Sequence, residues 1–342
     1  MSESQTLYFS APGRVEIRDE AVTEAGPGEV TVKTLVSAIS PGTEMLFYRG
    51  QVPQGMEMDA SLSGMQQQAV YPIKYGYSAA GEICAAGAGV DGRWLGRRVF
   101  AFHPHQSLFN VPLAEIMPIP EDISSEDAVF LPNMETAVNF VMDGAPVIGE
   151  QAAVFGQGIV GLLTCALLAR FPLAELLSFD RFPLRRQASQ GLGRVHSLDP
   201  AQAGWLDEAR GLLKAEKDDD GVDLAFEVSG APEALNQALK LTAANGRIII
   251  GSWYGSKATV LDLGGRFHRS RIRLVSSQVS SLSPLYRGRW DKTRRFGTAW
   301  EMIRQVRPAQ WITQRVALGQ AGEAYRLLDE GAGETIQVVL TY

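Results

Sequence analysis

The short apolar run Ala152-Ala153-Val154-Phe155 leads without a gap into Gly156-Gln157-Gly158-Ile159-Val160-Gly161, and an apolar helix-forming stretch starts inside that loop at Ile159. No other feature restricts the fold as strongly. In such a strand–loop–helix unit the first glycine permits a tight turn and the second lets the backbone approach a pyrophosphate. The third lets helix and strand pack closely. The chain has 35 glycines, so the bare spacing would mean little. Its position between a strand and a helix, whose free N–H groups and positive dipole end face the phosphates, gives it meaning. Gly156, Gln157, Gly158, Ile159, Val160 and Gly161 are therefore expected to bind a dinucleotide. Asp180 ends the next apolar run, 19 residues after Gly161. A carboxylate there accepts hydrogen bonds from the adenosine ribose and repels a 2′-phosphate, which selects NAD. Arg181, with Arg185 or Arg186, opposes that reading, because a guanidinium holds a 2′-phosphate, so NADP stays open.

From Gln151 onward strands and helices alternate. Strands are predicted at Ala152–Phe155, Leu176–Asp180, Arg194–His196, Val222–Val228, Arg247–Gly251 and Ile272–Ser276. Helices are predicted at Ile159–Arg170, Pro183–Gln190, Ala201–Ala215 and Pro232–Thr242. Short connections with a helix in each imply a doubly wound parallel sheet. In such sheets the strand ends face the ligand crevice, so Ser229 and Gly230 are expected beside the nicotinamide ribose. Gly251-Ser252-Trp253 takes the same kind of position, and ordinary turn chemistry accounts for both equally well. Up to about Pro120 the pattern is different: Glu29–Val36, Ser78–Ala86, Arg97–Phe102 and Asn110–Pro112 are short runs broken by Gly and Pro, mostly β. Ser40–Gly50 and Val52–Tyr75 are read as irregular loops, the second long enough to cover a substrate site or make a subunit contact. A helix is expected at Phe296–Gln305. The alternation of Glu334–Thr341 predicts a last strand that returns to the first domain.

A chain of 342 residues exceeds one compact core and suits two domains. Its net charge of −6 argues against a nucleic-acid surface. The run Arg287, Arg289, Lys292, Arg294 and Arg295 is read as a solvated helix entry, with a role toward a substrate carboxylate as the alternative. Two cysteines, Cys84 and Cys165, make no disulfide framework and suit a reducing cytoplasm. Met1–Ser10 lacks a signal peptide's basic and apolar regions. The longest apolar stretch, Ile159–Ala169, falls well short of the ~20 residues that cross a bilayer. A soluble cytoplasmic protein with no membrane partner is expected.

Several segments together resemble the medium-chain dehydrogenase/reductase superfamily, of the zinc alcohol dehydrogenase type. They are Gly42-Thr43-Glu44 after an apolar strand, Gly76-Tyr77-Ser78-Ala79-Ala80-Gly81-Glu82, Gly96-Arg97-Arg98-Val99 and the Gly156 loop. Phe226-Glu227-Val228-Ser229-Gly230 and Glu323-Ala324-Tyr325-Arg326-Leu327-Leu328-Asp329 complete the set. Ser37–Glu44 and Arg289-Trp290-Asp291-Lys292 are similar to the bacteriochlorophyllide a dehydrogenase-like branch. The resemblance implies an α/β fold in which a Rossmann domain (124–293) is inserted in a GroES-like, mainly-β catalytic domain (1–123 and 294–342). It also implies a homodimer or homotetramer, with Ile272–Val279 as the pairing edge.

The departures from the resemblance bear on mechanism. Where zinc members carry a cysteine this chain has Pro41. Their Gly-His-Glu turn is Gly76-Tyr77-Ser78 here, and nothing near Leu131-Pro132-Asn133 offers a third ligand. The four-cysteine lobe for structural zinc is also missing. Zinc needs three or four thiolate, imidazole or carboxylate ligands, so no metal is expected. A displaced site using His103 and His105 with Glu44 or Glu135 is the alternative, against histidines that face solvent or substrate. Hydride transfer then needs another group to stabilise the alkoxide. Tyr77, in the histidine ligand's place, and Thr43, in the family's hydroxyl-relay position, are the candidate catalytic residues, and His105 a candidate proton exchanger. Against these stands the reading of Tyr77 as an aromatic wall and Thr43 as a turn residue. Thr136, beside Glu135, is expected near the nicotinamide. Trp253, Tyr254 and Phe267 either line a flat pocket or belong to the core. The expected activity is NAD(P)-dependent interconversion of a small-molecule alcohol and a ketone or aldehyde without catalytic zinc. A zinc-independent NADPH-dependent enoyl or quinone reductase and a catalytically inactive dinucleotide-binding protein are the alternatives.

Overall fold

The polar segment after Met1 forms a strand with buried residues on both faces. Strand β1 (Ser2–Ala11) pairs with β2 (Arg14–Val22) across Gly13, whose φ of +72° suits a residue without Cβ. Leu7 and Phe9 enter the core, while buried Ser4 and Thr6 bond to Ser107 and Glu20. Buried, satisfied polar groups on the face opposite Leu7 and Phe9 hide this hairpin from a reading by hydrophobic alternation. The computed structural model describes all residues except 1, 54, 56, 57, 59–67 and 215–220. It divides into two compact units, Met1–Pro132 with Ile303–Tyr342, and Asn133–Met302. Much of the predicted Val52–Tyr75 loop therefore lies outside the described residues.

In the first unit, β3 (Glu29–Ala38) is followed by a helix, α1 (Thr43–Tyr48), where an irregular loop was expected. Met45, Leu46, Phe47 and Tyr48 are all buried, so packing imposes the helix on a run with no amphipathic period. Then come β4 (Ile73–Lys74), β5 (Ala79–Ala86), β6 (Arg98–Ala101), β7 (Leu108–Pro112), β8 (Ile116–Pro118) and the short helix α2 (Ser125–Ala128), capped by Ser124. β2, β1 and β4 form a small antiparallel sheet.

Helix α3 (Leu131–Gly144) precedes the second unit's sheet, whose elements alternate. They are β9 (Gln151–Phe155), α4 (Ile159–Leu168), β10 (Glu175–Phe179), α5 (Pro183–Gln190), β11 (His196–Leu198) and α6 (Trp205–Leu212). There follow β12 (Val222–Glu227), α7 (Pro232–Leu241), β13 (Thr242–Ile250) and β14 (Arg273–Ser276). All six strands are parallel, in the order β11-β10-β9-β12-β13-β14. That is the doubly wound order, with its switch point between β9 and β12. Ala152, Ala153, Val154 and Phe155 of β9 are sealed between the covered faces, as their unbroken apolarity requires.

The chain closes with α8 (Lys292–Val306), β15 (Ile312–Ala317), α9 (Ala321–Glu330) and β16 (Gln337–Thr341). β16 pairs antiparallel with β3, Leu340 opposite Ser37, and joins the seven-stranded sheet that runs β15-β16-β3-β5-β6-β8 with β7 against β3. The last strand thus returns to the first unit. Among the described residues no helix is long and apolar enough to cross a membrane.

One basic residue is misplaced by the sequence reading. Arg295 is not part of a solvated helix entry: it is 1% exposed. Its guanidinium donates twice to Glu135 Oε1, at 3.0 and 2.8 Å, once to Asn139 Oδ1, and once to the Val279 carbonyl. A periodic helix with one cation turned inward looks in sequence like one with every cation outside. Burial pushes the Glu135 carboxyl up and the adjacent guanidinium pulls it back. Breaking a buried pair from one side leaves an uncompensated charge. Arg295→Met is expected to destabilise this unit by about 3–5 kcal/mol in urea denaturation, and Arg295→Met with Glu135→Leu by less. Equal losses in the single and double variants would contradict that account.

Candidate nucleotide and catalytic sites

The glycine loop is held by contacts that leave no room for side chains. Gly156 has φ +95°, and a Cβ on it would stand 2.5 Å from Ser229 Cα. A Cβ on Gly161 would overlap the Gly156 carbonyl oxygen. At Gly158 the nearest atom to a Cβ would be Arg185 Nη1 at 3.9 Å, so this face of the loop is open. Gly158 caps α4 without a side-chain hydrogen bond, leaving the first turn's N–H groups for an anion. The side chain of Ile159 is buried in the core, so its contribution, like that of half-buried Val160, comes from the backbone. Gln157 corrects the expectation most clearly. Its side chain is fully buried and donates to the Val154 and Gly156 carbonyls, so it braces the loop.

Asp180 stands immediately after β10 and is largely buried. Its Oδ2 accepts the Gln157 N–H at 2.7 Å and its Oδ1 accepts the Phe182 N–H at 2.8 Å. The carboxylate therefore ties the glycine loop to the start of α5, and each oxygen keeps a second lone-pair direction. Arg185 Nη1 lies 4.0 Å from Oδ2. Burial lowers the Arg185 pKa, and Asp180 partly restores it. The Arg181 and Arg185 guanidiniums each lie about 5 Å from the Phe182 ring centroid (4.8 and 5.0 Å). Carboxylate and cations thus share one edge of the loop.

At the end of β12, Glu227 is fully buried and receives the Ser229 N–H and hydroxyl on Oε1 and the Tyr254 hydroxyl on Oε2. Burial, then Glu227, push the Tyr254 phenol far above its ordinary pKa, so it stays a donor. Gly230, at φ +72°, donates its N–H to Ser252 Oγ at 2.8 Å. Ser229 is thus fixed against Gly156 at the switch point, and Gly230 is held by Ser252. Tyr254 is neither a free pocket wall nor core; Trp253 is partly exposed and Phe267 packs on the core. Thr136 is half-buried on α3, one residue after Glu135. Sequence reasoning quoted Glu227 only within a motif; a lone carboxylate closing an apolar strand was the available signal.

In the other unit, Thr43 opens α1 and is half-buried. Tyr77 is half-buried on the aromatic core, its ring edge-on to Tyr75 at 6.3 Å. His105 overturns its expected role as a proton exchanger with substrate. It is fully buried, with Nδ1 2.7 Å from Ser37 Oγ and Nε2 3.0 Å from Glu44 Oε2. Both ring nitrogens are occupied, so it touches no substrate. His103 does not join it in a ligand set: its ring stacks on Phe109 at 3.6 Å, and burial lowers its pKa to about 3. Pro41 and Tyr77 offer zinc no thiolate or imidazole. Among the described residues no group of three or more His, Cys, Asp and Glu could hold a metal ion.

Residues 160–296 match the family model described as zinc-binding dehydrogenase. The (R,R)-butanediol dehydrogenase of Bacillus subtilis is 28% identical over 296 residues, covering 79% of this chain and 80% of that protein. A crystal structure from Escherichia coli CFT073, described as a short chain alcohol dehydrogenase complexed with cofactor NADH, superposes with TM-score 0.78. It shares 18% identity and covers 100% of both chains. A zinc-binding dehydrogenase structure from Sinorhizobium meliloti 1021 bound to NADP gives TM-score 0.77 at 17% identity, again over 100% of each. Gly161→Ala is expected to weaken NADH binding about tenfold or more in a fluorescence titration, since overpacking of 1–3 kcal/mol falls on the loop itself. Unchanged affinity would mean that the loop does not grip the nucleotide.

Proposed function

We propose that this chain is a medium-chain dehydrogenase/reductase, alongside the zinc-type alcohol dehydrogenases it is similar to, and that it interconverts an alcohol and a ketone or aldehyde with a nicotinamide dinucleotide, without catalytic zinc. The observation that carries this reading is the uncapped, glycine-lined N-terminus of α4 at the switch point of the parallel sheet. When bound, the nicotinamide accepts or donates the hydride. The free N–H groups of the first turn of α4 hold the pyrophosphate, and Asp180 accepts from the adenosine ribose. Ser229 and Gly230 border the nicotinamide ribose, with Thr136 on the same unit. Tyr77 hydrogen-bonds the substrate oxygen and stabilises the developing alkoxide, while Thr43 passes the proton.

Asp180 supports NAD as the preferred cofactor. A second reading, an NADPH-dependent enoyl or quinone reductase, is favoured by the Arg181 and Arg185 guanidiniums beside it. NADH and NADPH titrations, then ketone and enone substrates, separate the two. A chain that transfers no hydride to any of them would be a dinucleotide-binding protein only. The two free cysteines support a cytoplasmic location. Strand β14, at the sheet edge, supports a homodimer or homotetramer, checked by light scattering.

Tyr77→Phe is expected to lower kcat roughly 10²-fold or more, the lower range of general acid contributions, with unchanged cofactor affinity. Full turnover in that variant would remove Tyr77 from the chemistry. Exhaustive chelation is expected to leave activity intact, with no zinc in elemental analysis of active enzyme; loss of activity restored by zinc would refute the metal-free reading.

A further inference from the structure

In the zinc members this chain resembles, two of the metal ligands stand at the positions of Pro41 and Tyr77. Neither residue here can bind zinc, yet the segments that carry them are joined. Glu44, the second residue of α1, is fully buried. Its Oε1 accepts the Ser40 N–H at 2.7 Å. Its Oε2 faces the Tyr325 hydroxyl at 2.6 Å and His105 Nε2 at 3.0 Å. A buried carboxylate is costly unless donors converge on it, and here three do.

His105 connects this carboxylate to the second segment. Its backbone N–H donates to the Tyr75 carbonyl at 3.1 Å. Its ring lies against Gly76, where a Cβ would come within 2.7 Å of Cδ2 and 2.9 Å of Nε2. Gly76 has φ +122°, so both backbone and space exclude a side chain. The far ring nitrogen, Nδ1, is paired with Ser37 Oγ, which also lies 2.7 Å from Tyr342 Oη. An Nε2–H that donates to Glu44 leaves Nδ1 to accept from Ser37. One imidazole therefore touches α1, the Gly76–Tyr77 turn and β3, and through Ser37 the last residue of the chain. Burial, reinforced by Glu44, raises the Tyr325 phenol well above its ordinary pKa and keeps it a donor.

We propose that Glu44 and His105 form a metal-free clamp joining the Pro41–Glu44 segment to the Gly76–Tyr77 turn, which makes them positioning residues for Thr43 and Tyr77. The clamp joins by hydrogen bonds and packing two segments that zinc members would join through a shared ion. The positioning role rests on the assignment of Thr43 and Tyr77 proposed above; the clamp itself does not.

The experiment compares His105→Phe, His105→Gln and Tyr325→Phe in the full chain. His105→Phe fills the space without donating, and kcat is expected to fall about 10²-fold, the scale of small misplacements of reacting groups. NADH affinity is expected to stay at the wild-type value. His105→Gln places an amide donor near the old Nε2 and is expected to recover most of the loss. A folded His105→Phe with wild-type kcat would overturn the positioning role. If His105→Phe does not fold, Tyr325→Phe gives the reading, because its ring keeps its packing against Phe9 and Tyr48. A fall in kcat at constant NADH affinity supports the proposal, and an unchanged kcat overturns it. Thermal melts of Glu44→Gln, His105→Phe and the double variant test the clamp without any substrate. Coupled losses are expected, and additive ones refute the clamp. Coupling in a wild-type protein that transfers no hydride would overturn the enzymatic reading and leave the clamp standing.

Discussion

The nucleotide-binding unit depends on a close approach of backbone to backbone. Gly161 lies so near the Gly156 carbonyl that no side chain fits, and Gly156 lies as near to Ser229. These contacts bring the start of α4 to the mouth between β9 and β12. They fix the direction of the free helix amides, and a pyrophosphate site is a matter of direction as much as of charge. Asp180 and Gln157 belong to the same construction. The carboxylate accepts the loop's Gln157 N–H, and the glutamine side chain donates to the carbonyls of Val154 in β9 and Gly156 in the loop.

Three buried carboxylates recur as organising points, each with its own set of donors. Glu135 receives the Arg295 guanidinium, Glu227 receives Ser229 and Tyr254, and Glu44 receives Ser40, Tyr325 and His105. Each joins segments distant in sequence, because an acceptor with several lone pairs can hold several donors at once. Burial makes each arrangement demanding, since a missing donor leaves charge in a low-dielectric interior. Glu227 secures the strand end that flanks the glycine loop. Glu44 secures the helix that begins with Thr43.

The regular parts of this fold were legible because they obey simple periods. Of the parallel strands, β9, β10, β12 and β13 follow apolar runs, whereas β11 (His196–Leu198) overlaps the expected Arg194–His196 only at His196; α5 and α7 start at prolines suited to a first helical turn. The hairpin of β1 and β2 was hidden because Ser4 and Thr6 are buried with partners supplied from elsewhere. Helix α1 was hidden because Met45–Tyr48 is apolar on every face. Arg295 was taken for a surface cation because nothing local distinguishes it from Arg294, which lies over Trp290 on the exposed side. His105 was visible as a histidine, but not as an enclosed one.

The sequence by itself determined the parallel sheet, the glycine loop and the acid at the end of the following strand. The glycine loop and that acid are encoded within about thirty neighbouring residues, Gln151–Asp180, and each strand–helix unit of the sheet by its own local pattern. It also determined which ligands are missing, since Pro41 and Tyr77 cannot become a cysteine and a histidine in any fold. Only the tertiary structure decided which groups converge on Glu44. Glu44 lies 61 positions from His105 and 281 from Tyr325. A hydrogen bond depends on distance and direction in space, and chain separations of that size leave both undetermined until the sheets have formed.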